Sequence, residues 1–172
     1  MSSLFLEAES FRNPGGWVID PSAMNQMGSA YLMAHGAGVP VADAETEIRI
    51  SVSGTYHIWA RTRDWTAVWK RGTPAGRFTL RIDGFELPEI LGTNGEKWAG
   101  QKAGALPFSA GLHSIALHDL TGFNGRCDAL YLTTDPDDVP PDDGAELAAF
   151  RREKSGITSA DDPTEYDLIV AG

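Results

Sequence analysis

From residue 4 to residue 134 apolar side chains recur at every second position in short runs, and glycine, proline, asparagine or aspartate ends each run. A period of two places one apolar face on an extended strand, whereas a helix needs a period near 3.6. Residues 4–11, 30–34, 45–52, 55–62, 78–82, 113–120 and 127–134 read as strands. Ile48, Ile50 and Val52 oppose Glu47, Arg49 and Ser51. Tyr56, Ile58 and Ala60 share a face, as do Phe78, Leu80 and Ile82. Asp83-Gly84 then marks a two-residue hairpin. Helical periodicity is absent before residue 144. The pattern predicts an all-β, antiparallel β-sandwich or jelly roll.

The composition changes at Asp135. Asp-Pro-Asp-Asp-Val-Pro-Pro-Asp-Asp-Gly cannot enter a sheet interior and reads as a linker or a clamped extended arm. A short helix is expected near 144–154, with Leu147 and Phe150 on one face. The expected organisation is a β-sandwich over 1–135, an acidic, proline-rich extension over 136–165, and a separate apolar run over 166–172. That run, Tyr166-Asp167-Leu168-Ile169-Val170-Ala171-Gly172, resembles the opening strand of a dinucleotide-binding βαβ unit up to its first glycine. A C-terminal edge strand is the other reading.

The formal net charge is −10, and it is unevenly spread. Residues 135–172 hold eleven Asp/Glu against three Lys/Arg, while residues 1–134 hold thirteen against eleven. Without a basic stripe, nucleic acid is not an expected partner. The near-neutral domain suits an uncharged ligand. No apolar run nears the roughly 20 residues of a membrane-spanning helix, so no membrane partner is expected. The start lacks the basic head and apolar stretch of a signal peptide. The compartment is therefore cytoplasmic, or extracellular or periplasmic if a signal has been removed. Cys127 is the lone cysteine and excludes an internal disulfide.

Glu7 and Glu9 stand two apart on the first strand, so both carboxylates are expected on one face. Asp128 opens the last strong strand. If the first and last strands pair, three carboxylates converge, which suits a hard cation such as Ca²⁺. Pairing with Arg126, Arg12 or another base, or protonation of one carboxyl, would relieve the same repulsion. Catalytic arrangements are poor: there is no Gly-x-Ser-x-Gly, and His113 and His118 face opposite sides of a strand. Residues 61–71 crowd Trp65, Trp69 and four basic residues into one loop, which suits sugar contact, docking of another domain, or plain packing.

Phe5–Phe11 with Glu-Ala-Glu, Gly28-Ser29-Ala30-Tyr31-Leu32, Gly54-Thr55-Tyr56-His57-Ile58-Trp59-Ala60-Arg61, Gly111-Leu112-His113 and Asn124…Asp128-Ala129-Leu130-Tyr131-Leu132 occur in this order. The set resembles the carbohydrate-binding modules of families 6 and 35, within the galactose-binding-like superfamily. It also resembles the xanthan-lyase-like modules of bacterial FAD-dependent oxidoreductases. The resemblance implies a structural Ca²⁺ on Glu7, Glu9 and Asp128. It implies sugar contacts from Trp98 and Asn124, with Tyr31 or Trp65 as a second ring. It implies a non-catalytic module that binds an oligo- or polysaccharide at the front of a larger oxidoreductase, with FAD held only by the downstream domain. The alternative is a docking module that packs on that domain without binding sugar.

Overall fold

The computed structural model describes residues 1–69 and 73–155. Its strands are β1 (Ser3–Glu7), β2 (Trp17–Asp20), β3 (Tyr31–His35), β4 (Ala44–Ile50), β5 (Gly54–Thr62), β6 (Phe78–Ile82), β7 (Phe85–Glu86), β8 (Ala99–Phe108), β9 (Gly111–Asp119) and β10 (Phe123–Thr133). The helices are α1 (Met24–Met27) and α2 (Gly144–Lys154). One sheet runs β2-β3-β10-β5-β8, with β1 also paired to β10, and the other runs β4-β9-β6-β7. All pairings are antiparallel. The expected sandwich is what forms, and the expected short helix is α2. Among the described residues no helix is long and apolar enough to cross a membrane.

The alternation seen in the sequence becomes the inner faces of the two sheets. Ile58, Ala60, Leu130 and Leu132 from one meet Ile48, Ile50, Phe78, Leu80, Ile115 and Leu117 from the other in a single buried cluster. Asp83 (φ 49°) and Gly84 (φ 81°) turn the chain between β6 and β7 as the hairpin signal predicts. The strands β2 and β8 were not expected. Both are sheet edges. Val18 and Ile19 of β2 are exposed, and β8 carries Gly100, Gly104 and Pro107, so neither shows the half-buried pattern that reveals a strand.

The first and last strands pair as expected, with Leu6 opposite Leu130 and Glu7 opposite Ala129. Two details differ from the sequence reading. Residues 4–11 do not form one strand: β1 ends at Glu7, and a 3₁₀ turn over Ala8–Ser10 follows, tied by Phe11 N–H to Ala8 O (3.1 Å) and Ser10 Oγ–H to Glu7 O (2.6 Å). Ala8 and Phe11 drop into the core through this turn, and Glu9 lies in the turn and not on the strand. Asn124 lies inside β10, not on a loop before it.

β10 shifts register twice, between Phe123 and Gly125 against β3 and between Cys127 and Ala129 against β5. The extra residues at these bulges are Asn124 and Asp128. A bulge re-aims the side chain it carries. Cys127 consequently faces the core, fully buried, where desolvation and the nearby Asp128 and Glu9 push its thiol well up and leave it inert.

Candidate ligand-binding site

Residues 63–69 leave β5 and fold tightly over one end of the sandwich. Buried Asp64 organises the segment. Its Oδ1 accepts from Thr66 N–H (2.9 Å) and Thr66 Oγ (2.7 Å), and its own N–H donates to Gly95 O (2.7 Å). This is an aspartate-led turn. It presents Trp65 and Trp69 edge-to-face, with centroids 5.8 Å apart and planes at 74°. Trp65 Nε1–H donates to Phe123 O (2.9 Å), which pins the segment to the start of β10. Trp69 is 76% exposed and Phe123 49%. Together with Thr66, Pro74 and Arg77 these rings line a shallow depression of 380 Å³.

Behind Trp65 lies a stack of cations and rings. The Arg126 guanidinium sits 5.1 Å from the Trp65 centroid and 5.9 Å from that of Tyr31, and its Nε–H donates to the Tyr31 hydroxyl (3.3 Å). Tyr31 O–H in turn donates to Asp20 (2.7 Å). Burial works to raise the Asp20 carboxyl, but hydrogen bonds from Ser22 and Tyr31 outweigh it and hold the group below the ordinary carboxylate range. Arg63 lies 6.0 Å from the Trp98 centroid.

The four expected ligand contacts separate here. Trp98 and Tyr31 meet at 4.9 Å, but they are only 6% and 2% exposed and pack with Ala23 and Met27 in a small second core. The reason is α1, a single turn absent from the sequence reading, whose Met27 closes over them. They form a floor, of which Trp98 also lines the cavity bounded by Met24, Met27, Arg61 and Arg63. Trp65 does reach the surface. Asn124, at φ 57°, accepts from His35 Nδ1–H through its Oδ1 (2.7 Å), leaving its amide N–H groups for a ligand. Asparagine tolerates this left-handed backbone better than most residues. Trp69 and Phe123 were not named as contacts. Trp69 belongs to the crowded 61–71 segment, whereas the place of Phe123 depends on its ring packing over Gly38 of a distant loop.

The three expected metal-binding carboxylates are also placed. Asp128 is fully buried, and its Oδ2 accepts from Arg151 Nη1–H (2.7 Å) and lies 3.4 Å from Arg61 Nε. Glu7 Oε2 accepts from Arg151 Nη2–H (2.6 Å). Burial pushes the Asp128 carboxyl up to about 7, with Arg151 opposing and Glu7 adding to the rise. Burial likewise raises Glu7, against Arg151 and with Glu9. Among the described residues no group of three Asp, Glu, His or Cys side chains converges closely enough to hold an ion. Glu7 and Asp128 thus meet across the Arg151 guanidinium, and Glu9 follows Glu7 in the Ala8–Ser10 turn and lines the same cavity.

Similarity to known proteins follows this geometry. The chain superposes on a mannanase from Podospora anserina that carries a family 35 carbohydrate-binding module (TM-score 0.60, 18% identity, 80% of this chain and 29% of that one). It superposes on a family 35 module from Clostridium thermocellum (TM-score 0.57, 17% identity, 78% and 100%). It also superposes on the C-terminal family 6 module of a marine laminarinase from Zobellia galactanivorans (TM-score 0.56, 18% identity, 77% and 99%). The fold is the antiparallel β-sandwich that these modules share. At these identities the likeness shows fold alone. The match spans under a third of the mannanase and nearly all of the two isolated modules. No protein-family model matches the chain, and no curated protein matches it.

Proposed function

We propose that this chain is a non-catalytic carbohydrate-binding module whose ligand lies across the Trp65–Trp69–Phe123 ledge. The observation that carries the reading is Trp69, a large ring 76% exposed, braced edge-on by Trp65 beside an open depression. Sugar C–H faces pack on such rings, while nearby polar groups read the hydroxyls. Arg77 and Thr66 on the depression, and the Asn124 amide on the adjacent strand, are the polar contacts. The likeness to family 35 and family 6 modules supports this assignment. The module stands at the front of a larger FAD-dependent oxidoreductase, a reading supported by the Tyr166–Gly172 run, which lies outside the described residues.

Calorimetric titration with soluble mannan, β-glucan and uronic-acid oligosaccharides tests the proposal. Binding is expected, and Trp69→Ala should weaken it by about tenfold or more, since a stacked ring at a contact centre is worth roughly 1–2 kcal/mol or more. Its melting temperature should not change, because the ring supports no core. Silence across the panel would favour the docking alternative, in which Trp69, exposed Val68 and Phe123 meet the downstream domain.

A further inference from the structure

The family resemblance implies a divalent cation at the seam of β1 and β10, and the residues at that seam do not fit one. An ion 2.3–2.6 Å from both Glu7 Oε2 and Asp128 Oδ2 would fall in the volume of the Arg151 guanidinium, whose nitrogens stand 2.6 and 2.7 Å from those oxygens. Arg151 makes two further contacts there: Nη2–H also donates to Ser29 Oγ (2.6 Å), and its Cζ lies 5.6 Å from the Phe5 centroid. The residue is 8% exposed. Glu9 Oε2 and Asp128 Oδ1 are buried without hydrogen-bond partners among the described residues. The four carboxylate oxygens named here fall short of the six to eight that Ca²⁺ takes.

We propose that Arg151 is the module's built-in counter-cation, delivered by α2 from outside the sandwich to the place where a bound metal would otherwise join the first and last strands. The architecture serves that delivery. Residues 135–143 run as an arm along the outer face of the larger sheet, with Asp138 accepting from Tyr131 and Thr133 and Asp142 accepting from Gly100 N–H (2.9 Å). Phe150 then packs edge-to-face on Tyr131 (4.9 Å) and Phe5 (6.0 Å). Leu147, four residues before Arg151, shares its buried face. The described part of the acidic extension, residues 136–155, thereby packs on the sandwich.

Thermal melting of the full chain in millimolar CaCl₂ and in excess EDTA tests this, with calorimetric titration of Ca²⁺ beside it. A bound ion at about a hundred times its Kd would raise the Tm of a domain this size by roughly 5–10 °C. The expected result is one Tm in both buffers, no heat of Ca²⁺ binding, a large fall in Tm for Arg151→Met, and partial recovery for Arg151→Lys. A Tm that rises with Ca²⁺ in the wild-type chain, or an Arg151→Met variant that melts like wild type, would overturn the proposal. The wild-type measurement stands even if the variant does not fold.

Discussion

Arg151→Met is expected to destabilise the chain by about 3–5 kcal/mol at pH 8, the usual cost of removing one partner of a buried ion pair. Methionine preserves most of the packing against Phe5, so the loss isolates the charge. Without the guanidinium, Asp128 keeps only the 3.4 Å approach of Arg61, and Glu7 loses its charged partner. The loss should depend on pH. In the folded chain Asp128 titrates near 7, above its unfolded value, so the native state holds the extra proton and this group favours folding below that range. That contribution fades as pH rises through 7. Arg151 opposes the rise, so removing it drives the native pKa higher still and extends the fading to more alkaline pH. Wild type and variant should therefore differ least near pH 5 and most near pH 8–9. Urea unfolding at both ends of this range measures the difference, and an equal loss at pH 5 and pH 8 would contradict the ion-pair account.

Asp119→Ala should have a comparable effect, about 3–5 kcal/mol, from backbone accounting alone. Asp119 is 1% exposed at the end of β9. Its carboxylate accepts from Val41 N–H (3.0 Å), Thr121 N–H (3.1 Å) and Gly122 N–H (2.8 Å). Alanine leaves these donors without partners, and each buried orphan costs about 1–3 kcal/mol. The loops they join cannot easily shift to compensate. Gly122 adopts φ 66°, and a Cβ there would stand 2.1 Å from Val39 O. Its carbonyl accepts from Gly36 N–H (3.0 Å) and Gly38 N–H (3.2 Å). Since Phe123 follows directly and packs over Gly38, Asp119→Ala should also weaken ligand binding at the ledge. Asp119→Asn, which keeps one acceptor oxygen, should fall between the two in urea unfolding.

The sandwich was legible because its strands advertise themselves: Tyr56, Ile58 and Ala60, or Phe78, Leu80 and Ile82, alternate cleanly and become the core. The pairing of β1 with β10 is a condition in the sequence, because alternation marks a strand but not its partner, and the structure supplies it. The sites were less so, because they depend on contacts distant in sequence. Arg151 lies 144 residues from Glu7, and Arg151-Arg152 looks like the solvated face of a short helix. Its one local signal is the four-residue spacing from Leu147 and its place next to Phe150, which put it on the apolar face. The two bulges in β10 are not legible either, since an alternating pattern does not reveal which residue is the extra one. Yet those bulges aim Asn124 at His35 and Asp128 at Arg151. Trp98 is less legible still. As a tryptophan in a turn-rich segment it suggests a sugar platform, and only Met27 from α1 makes it a floor. Asp119 carried a readable signal, since aspartate ahead of Thr121-Gly122 at a strand end favours a side-chain-capped turn.

The central claim is that a saccharide lies on the ledge, and the five tryptophan indoles can locate it. Two-dimensional ¹H–¹⁵N spectra of the full chain, recorded while the oligosaccharide that binds most tightly is added, follow each indole N–H separately. The account predicts that Trp65 and Trp69 shift together with the saturation of binding, while buried Trp17 and Trp98 stay in place. Shifts confined to Trp98 and Trp59, or no indole shift at saturating saccharide, would contradict it.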